Sequence, residues 1–171
     1  MIKASRNVLL AVTAVTLSLI GSTSFALDQS SMDGMEQVVI SIRTDPLKDP
    51  EPACVALQIG MNLLMANVGV PVTPADRVSL FLTIDGVELV NPENQINKRK
   101  KPKLVCNTPA GENTASLAGL LEKFVNMEGS EVLICPLCSD SRGITDPTQG
   151  KDASAEEIHN LFLFADKVID F

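Results

Sequence analysis

RVSLFLTIDGVELV, residues 77–90, holds the strongest evidence for the class of fold. The residues from Val78 to Ile84 are apolar almost without interruption. A strand with one face in water alternates apolar and polar residues, whereas a strand covered on both faces is apolar throughout. The run therefore predicts a strand over Val78–Ile84 in a sheet that is covered on both faces.

The segment before this strand predicts another strand and then a helix. QVVISIRTDP, residues 37–46, alternates and then ends at a proline, which is typical of a strand over Val38–Arg43. The apolar run that follows has prolines at its start and Gly69 at its end, which are typical start and stop signals of a helix. Residues 53–68 are therefore predicted to be helical. This helix is apolar almost all round, so it is either buried on two sides or packed against another subunit. We expect the protein to form a homo-oligomer.

The segment after the strand predicts a loop, a helix and a further strand. Residues 91–112 are polar, basic and interrupted by prolines, which indicates a long loop in which KLVCN can form a short strand. A helix is then predicted by apolar residues at helical spacing, with Gly129 as the residue that ends it. The apolar residues are Leu117, Leu120, Leu121, Phe124 and Val125. The next strand, Val132–Ile134, leads directly into two cysteines.

The last part of the chain predicts one more helix and one more strand. Ser154 and Glu157 form a capping box, and the apolar face behind it consists of Ile158, Leu161, Phe162 and Ala165. KVIDF, residues 167–171, predicts a closing strand. Strands therefore alternate with helices, which predicts an α/β fold: a single three-layer domain, mainly a parallel sheet with helices on both faces.

The first residues have the pattern of a secretory signal. Lys3 and Arg6 precede an apolar run over residues 8–20, and small residues end at Ala26. We expect cleavage of residues 1–26, then a polar segment over 27–36 and the α/β domain over 37–171. The apolar run is short for a membrane span, so we expect no membrane association after cleavage and a periplasmic or secreted location.

The charge of the chain argues against nucleic acid as a partner. The formal net charge is −7, and it becomes −9 when the signal, with its two basic residues, is removed. The one basic run is KRKKPK, residues 98–103, which is interpreted as a solvated loop, with a docking patch for an acidic partner as the alternative. Trp and Tyr are absent, which disfavours surfaces that bind sugars or bases by stacking.

Four cysteines, Cys54, Cys106, Cys135 and Cys138, remain after cleavage, and in an oxidising compartment they allow two disulfides in three pairings. A four-residue ring between Cys135 and Cys138 would contribute about 2 kcal/mol to stability, whereas a bridge from Cys54 to Cys106 would contribute roughly 4 kcal/mol. A bridge formed for stability would favour the longer loop, but spacing alone leaves the pairing open.

The pair Cys135 and Cys138 is the candidate catalytic site. Cys135 directly follows a strand, and in open α/β sheets ligands bind beyond the carboxyl ends of strands. We expect Cys135 to be an easily ionised nucleophile, Cys138 its resolving thiol, and Arg142 a nearby charge that lowers the thiol pKa. Cys106 and Asn107 are expected to end a segment at the same edge.

Other chemistry has weaker support. A zinc site would need further ligands, and no second C-x-x-C or H-x-x-x-H pattern is present. His159, the only histidine, lies in the last predicted helix and is interpreted as a surface or boundary residue, with a catalytic base as the alternative. The sequence therefore predicts no cofactor and no metal.

Several of these segments, in this order, resemble the DsrE family of sulfur-relay proteins, with its DsrE/DsrF-like subunits. The segments are VVISIRTDP, the helix after PACVAL, VSLFLTIDGVELV, SEVLICPLCSDSRGI and ADKVIDF. The resemblance implies a flavodoxin-like domain in trimers or hexamers. It also implies a persulfide on the cysteine eight residues before the Gly of an Arg-Gly pair, which is Cys135 here, and Arg142 matches the Arg of that pair.

This chain departs from the sulfur-relay members in two respects. Those members work in the cytoplasm beside dedicated donor and acceptor proteins, whereas this chain is expected to be exported. In addition, Cys138 could attack a persulfide on Cys135 and expel sulfide. The leading hypothesis is an exported sulfur-handling protein with an unknown donor and acceptor. A thiol-disulfide oxidoreductase and a noncatalytic oligomer that binds a small ligand are the alternatives.

Overall fold

The computed structural model describes residues 36–65, 75–97, 104–106 and 115–171. Within these residues the strands are β1 Gln37–Ile42, β2 Arg77–Leu82, β3 Val105–Cys106, β4 Ala115–Ser116, β5 Ser130–Ile134, β6 Lys151–Asp152 and β7 Lys167–Asp170. The helices are α1 Glu51–Leu64, α2 Leu117–Val125, α3 Pro136–Ser141 and α4 Ala155–Leu163, with a 3₁₀ helix over Gly86–Val90. The proposed signal and the basic run 98–103 lie outside the described residues.

Five of these strands form one parallel sheet in the order β6-β5-β2-β1-β7, while β3 and β4 pair antiparallel with each other. Ile42 pairs with Leu82, and Leu82 pairs with Ile134, so β1, β2 and β5 end level with one another. The residues that follow these three ends therefore meet at one edge of the sheet. The predicted α/β fold with a parallel sheet is confirmed.

Alternate residues of the strands enter two cores, one on each face of the sheet. The larger core packs α1 and α2 against one face and includes Ile40, Leu57, Leu80, Phe124 and Ile134. The smaller core packs α4 against the other face and consists of Val39, Phe81, Leu133, Ala153 and Leu161. The apolar character of β2 follows from this arrangement, because neither of its faces is in contact with water.

Some element boundaries differ from the sequence predictions. β2 ends at Leu82 rather than Ile84, because Ile84 has a left-handed backbone with a φ of +53°. The segment after Cys135, for which no helix was predicted, contains the short helix α3. β6 was not predicted, since Lys151 and Asp152 carry no apolar signal. The capping box of Ser154 and Glu157 is confirmed.

The helix α1 leaves part of its apolar surface uncovered in the described chain. Ala56 and Leu57 are fully buried, whereas Val55 is 37% exposed and Met65, the residue directly after the helix, is 45% exposed. The homo-oligomer therefore stays a prediction. Among the described helices, none has the length and apolar character that crossing a membrane requires.

Cys54 in α1 and Cys106 in β3 form a disulfide. Both residues are buried within the larger core. Cys106 ends β3, but β3 lies outside the parallel sheet and its cysteine pairs with α1, so its place at the edge of the sheet stays a prediction. Asn107, placed at the same edge by that expectation, lies outside the described residues.

Candidate active site: two thiols at the edge of the sheet

The two remaining cysteines are free thiols where the chain leaves β5. The N–H of Cys135 donates to the carbonyl of Leu82, at the end of the neighbouring strand, over 2.9 Å. Pro136 opens α3, and one helical turn brings Cys138 back, where its N–H donates to the carbonyl of Cys135 over 3.0 Å. The two sulfur atoms are 2.7 Å apart and share a hydrogen bond. Closure to a disulfide, with a bond of about 2.05 Å, therefore requires little movement.

A buried serine fixes α3 on the sheet. Ser139 is 1% exposed, and its hydroxyl donates to the carbonyl of Pro136 and to the carboxylate of Asp152, each over 3.0 Å. Asp152 lies in β6, and the N–H of the next residue, Ala153, donates to the carbonyl of Ile134 over 2.9 Å. The cysteine helix is thus attached to both β5 and β6.

A turn over Thr83–Gly86, just after β2, supplies hydrogen-bond donors to Cys138. The turn closes through the N–H of Gly86, which donates to the carbonyl of Thr83 over 2.9 Å. The N–H of Ile84 donates to the sulfur of Cys138 over 3.2 Å, and the Thr83 hydroxyl lies 3.7 Å from the same sulfur. The left-handed backbone of Ile84 is strained for a β-branched residue and costs roughly 1–2 kcal/mol. The turn therefore presents an N–H to the sulfur at an energetic cost.

Arg142 connects the cysteine helix to this turn. Its guanidinium forms an ion pair with Asp85 and lies 4.0 Å from the carboxylate of Glu88. The same group donates to the carbonyl of Cys138 and to the hydroxyl of Ser141, each over 3.2 Å. Arg142 therefore contacts the backbone beside one thiol, while two carboxylates balance its charge.

Hydrogen bonding holds the negative charge of the pair on Cys138. Burial raises the pKa of a thiol, but at Cys138 this effect is outweighed by hydrogen bonds from Cys135, Thr83 and the N–H of Ile84 and by the charge of Arg142, so that its pKa is lowered. At Cys135, burial and the hydrogen bond to Cys138 both raise the pKa. The lowered pKa, predicted at Cys135 from the sequence, lies at Cys138 instead.

Three residues beside the thiols were not predicted from the sequence. Thr83 and Ile84 lie at the end of the predicted strand and Asp85 directly follows it, and the only signal of a turn was the Asp85-Gly86 pair. His159 is exposed on α4, which agrees with its interpretation as a surface residue. Across the described ranges, no group of three or more His, Cys, Asp and Glu residues is arranged to hold a metal ion.

At pH 7, iodoacetamide should modify Cys138 of the reduced protein before Cys135. The thiolate is the reactive form, and below both pKa values the ratio of the two thiolate fractions changes about tenfold for each unit that separates the pKa values, which the lower nucleophilicity of the more acidic thiolate offsets only in part. The rate at Cys138 should reach half its maximum below pH 9.0, the ordinary value, and the rate at Cys135 above it. Peptide mapping by mass spectrometry measures both rates. Denaturation in urea should remove the preference, and faster modification of Cys135 in the folded protein would contradict the assignment.

The fold and the site together define a small α/β protein with a dithiol at the carboxyl edge of its parallel sheet. The family model of the DsrE/DsrF-like family matches residues 37–171, and the chain belongs to this family. Membership suggests a role of the sulfur-relay type.

A solved structure with a similar fold is the crystal structure of the ychN protein from E. coli. It is 23% identical, with a TM-score of 0.58 over 80% of this chain and 100% of that chain. At this identity the likeness concerns the fold alone. A comparison with curated proteins gave no match.

Proposed function

We propose that this protein handles sulfur at the Cys135/Cys138 pair, with a persulfide on Cys135 and with Cys138 as the resolving thiol. One observation carries the proposal: the two sulfurs are 2.7 Å apart, and the hydrogen bonds around them stabilise a thiolate at Cys138. Membership of the DsrE/DsrF-like family supports sulfur chemistry at this position.

In the first step Cys138 acts as the base for Cys135. As the sulfur of Cys135 attacks the outer sulfur of a persulfide donor R–S–SH, its proton passes to the thiolate of Cys138. The S–S bond of the donor breaks, and the donor leaves as the thiolate RS⁻. The products are Cys135–S–SH and a neutral Cys138 thiol, so no oxidant is consumed.

In the second step Cys138 acts as a nucleophile. After it loses its proton to water, its thiolate attacks the inner sulfur of the Cys135 persulfide and expels HS⁻. The resulting Cys135–Cys138 disulfide is two electrons more oxidised than the dithiol, and an external dithiol reduces it. The short distance between the sulfurs favours this release over long storage of the persulfide.

The second candidate function is thiol-disulfide exchange by the same pair, and the proximity of the two thiols favours it as well. A measured reduction potential separates the candidates. A value in the range of exchange enzymes, about −120 to −270 mV, together with turnover on a disulfide substrate, would support the oxidoreductase. A value below about −300 mV would indicate an inert bridge.

The setting of this chemistry is an exported homo-oligomer. The buried Cys54–Cys106 disulfide supports an oxidising compartment, since such bonds form and persist there. The exposed Val55 of α1 and Met65 directly after the helix support a contact with another subunit. In that compartment the sulfur donor is either a small polysulfide or a persulfide on another protein.

Mass spectrometry of the reduced protein after incubation with polysulfide tests the proposal. The Cys138→Ser variant should load more slowly but retain one added sulfur atom on Cys135, because nothing resolves the persulfide. The original protein should release sulfide and form the Cys135–Cys138 disulfide. The Cys135→Ser variant is the matched control and should release no sulfide. Absence of an adduct in every variant would reject the proposal, and an adduct on Cys138 alone would move the carrier role there.

A further inference from the structure

We propose that Asp85 is a positioning residue of the thiol pair: through its ion pair with Arg142 it holds the turn over Thr83–Gly86 in the shape that directs the N–H of Ile84 at the sulfur of Cys138. This inference rests on the proposed function, because that chemistry needs a thiolate at Cys138. It goes beyond that function, because it assigns a role to residues that do not react.

The backbone of Ile84 shows that neighbouring contacts keep the turn in a strained conformation. Its φ of +53° is unfavourable for a β-branched side chain, and the residue is 43% exposed. Rotation of φ to a negative value would relieve the strain. This change would turn the N–H of Ile84 relative to the residues that follow it. If those residues stayed in place, the N–H would therefore no longer point at the sulfur of Cys138. A strained conformation beside a functional group persists only where neighbouring contacts determine it.

The guanidinium of Arg142 supplies such a contact from the cysteine helix. It binds the carboxylate of Asp85, the residue that follows Ile84, and also the carbonyl of Cys138. One side chain thus ties the turn to the residue whose sulfur the turn must reach. On the other side of the turn, Gly86 packs directly against the backbone of Ile42. The turn is therefore fixed at both ends.

Charge alone predicts the opposite effect of Asp85 on Cys138. The charged groups near this thiol are Arg142 and, around that cation, Asp85, Glu88 and Lys48, while Cys135 is its titrating neighbour. A carboxylate near a thiol opposes ionisation and also neutralises Arg142. If Asp85 acted only by its charge, its removal would lower the pKa of Cys138.

The Asp85→Ala variant therefore separates the two roles by the sign of the change. We expect the pKa of Cys138 to rise by about one unit, which is the order expected for the loss of a hydrogen bond to a charged sulfur. Titration of the thiolate absorbance near 240 nm in a background without Cys135, Cys135→Ser, measures it directly, with Cys135→Ser alone as the reference. A fall in the pKa, or no change, would overturn the proposal.

Two further variants in the same background keep the result interpretable. Asp140→Ala removes an exposed carboxylate from the cysteine helix itself and should not raise the pKa, since the turn keeps its ion pair. Asp85→Asn removes the charge but keeps an oxygen that accepts from the guanidinium, so it should not raise the pKa either. If Asp85→Ala does not fold, Asp85→Ser takes its place, because its shorter side chain also loses the ion pair and should raise the pKa by a similar amount. A rise in all three variants would overturn the proposal. Because the readout is ionisation and not sulfur transfer, it holds or fails separately from the polysulfide experiment.

Discussion

Removal of the Cys54–Cys106 disulfide should lower the free energy of unfolding by about 4 kcal/mol, which is the loop-entropy estimate for cysteines this far apart. The two cysteines are separated by 52 positions, so the bridge removes much of the freedom of the unfolded chain. Both are buried, and the bond attaches the small β3–β4 pair to α1. Urea denaturation of the Cys54→Ala/Cys106→Ala variant, compared with the oxidised protein, measures the change.

The second thiol pair provides the control for this experiment. The Cys135→Ala/Cys138→Ala variant keeps the bridge between α1 and β3, so its stability should still fall when a reductant is added. The variant without Cys54 and Cys106 should lose no more than the about 2 kcal/mol that a bridge between Cys135 and Cys138 contributes. If reductant leaves the original protein unchanged within the extrapolation error of roughly 10–15%, the disulfide does not contribute as described.

Gly86→Ala should destabilise the fold by about 3 kcal/mol or more, the upper range for overpacked sites, and should disturb the thiol site as well. A β-carbon at Gly86 would overlap the carbonyl oxygen of Ile42 and lie 2.7 Å from its carbonyl carbon. That carbonyl already accepts from the N–H of Thr83 over 3.0 Å, so neither partner can move freely. Urea denaturation should show the loss of stability, and the alkylation assay should show a reduced preference for Cys138.

Gly143→Ala is the matched glycine control in the cysteine segment. Gly143 has a φ of +67°, but a β-carbon there would meet no atom within 4 Å. Its substitution should therefore cost only the strain of a left-handed backbone, about 1 kcal/mol. Equal losses for Gly86→Ala and Gly143→Ala would show that the backbone overlap at Gly86 is not the cause.

The strands of the sheet were predictable because their signal is local. The apolar runs of β1, β2 and β5 each correspond to buried segments of the sheet, and the order of strands and helices was sufficient for a parallel arrangement. The two-residue strand β6 has no such signal, since both of its residues are charged and exposed. It forms because the chain passes beside β5, which is a tertiary effect that a local pattern does not contain.

The candidate site was predictable only in part, for a related reason. The position of Cys135 after a strand and the three-residue spacing to Cys138 are visible in the sequence. The partner of Arg142, however, is Asp85, which lies 57 residues away, and the apolar Ile84 reads as one more strand residue. No sequence pattern indicates that an isoleucine will adopt a left-handed backbone. The lowered pKa expected at Cys135 lies at Cys138 instead, where hydrogen bonds from Cys135 and from that turn outweigh burial.

The two sulfurs border different cores. Cys138 packs against the larger core, on the α1 and α2 side, and Cys135 packs against the smaller core beneath α4. A covalent bond between them would link the two cores at the carboxyl edge of the sheet. Oxidation of the pair should then change the NMR frequencies of the methyl groups of Ile134 in the larger core and of Ala153 in the smaller core. Each core would therefore report whether the two cysteines are oxidised.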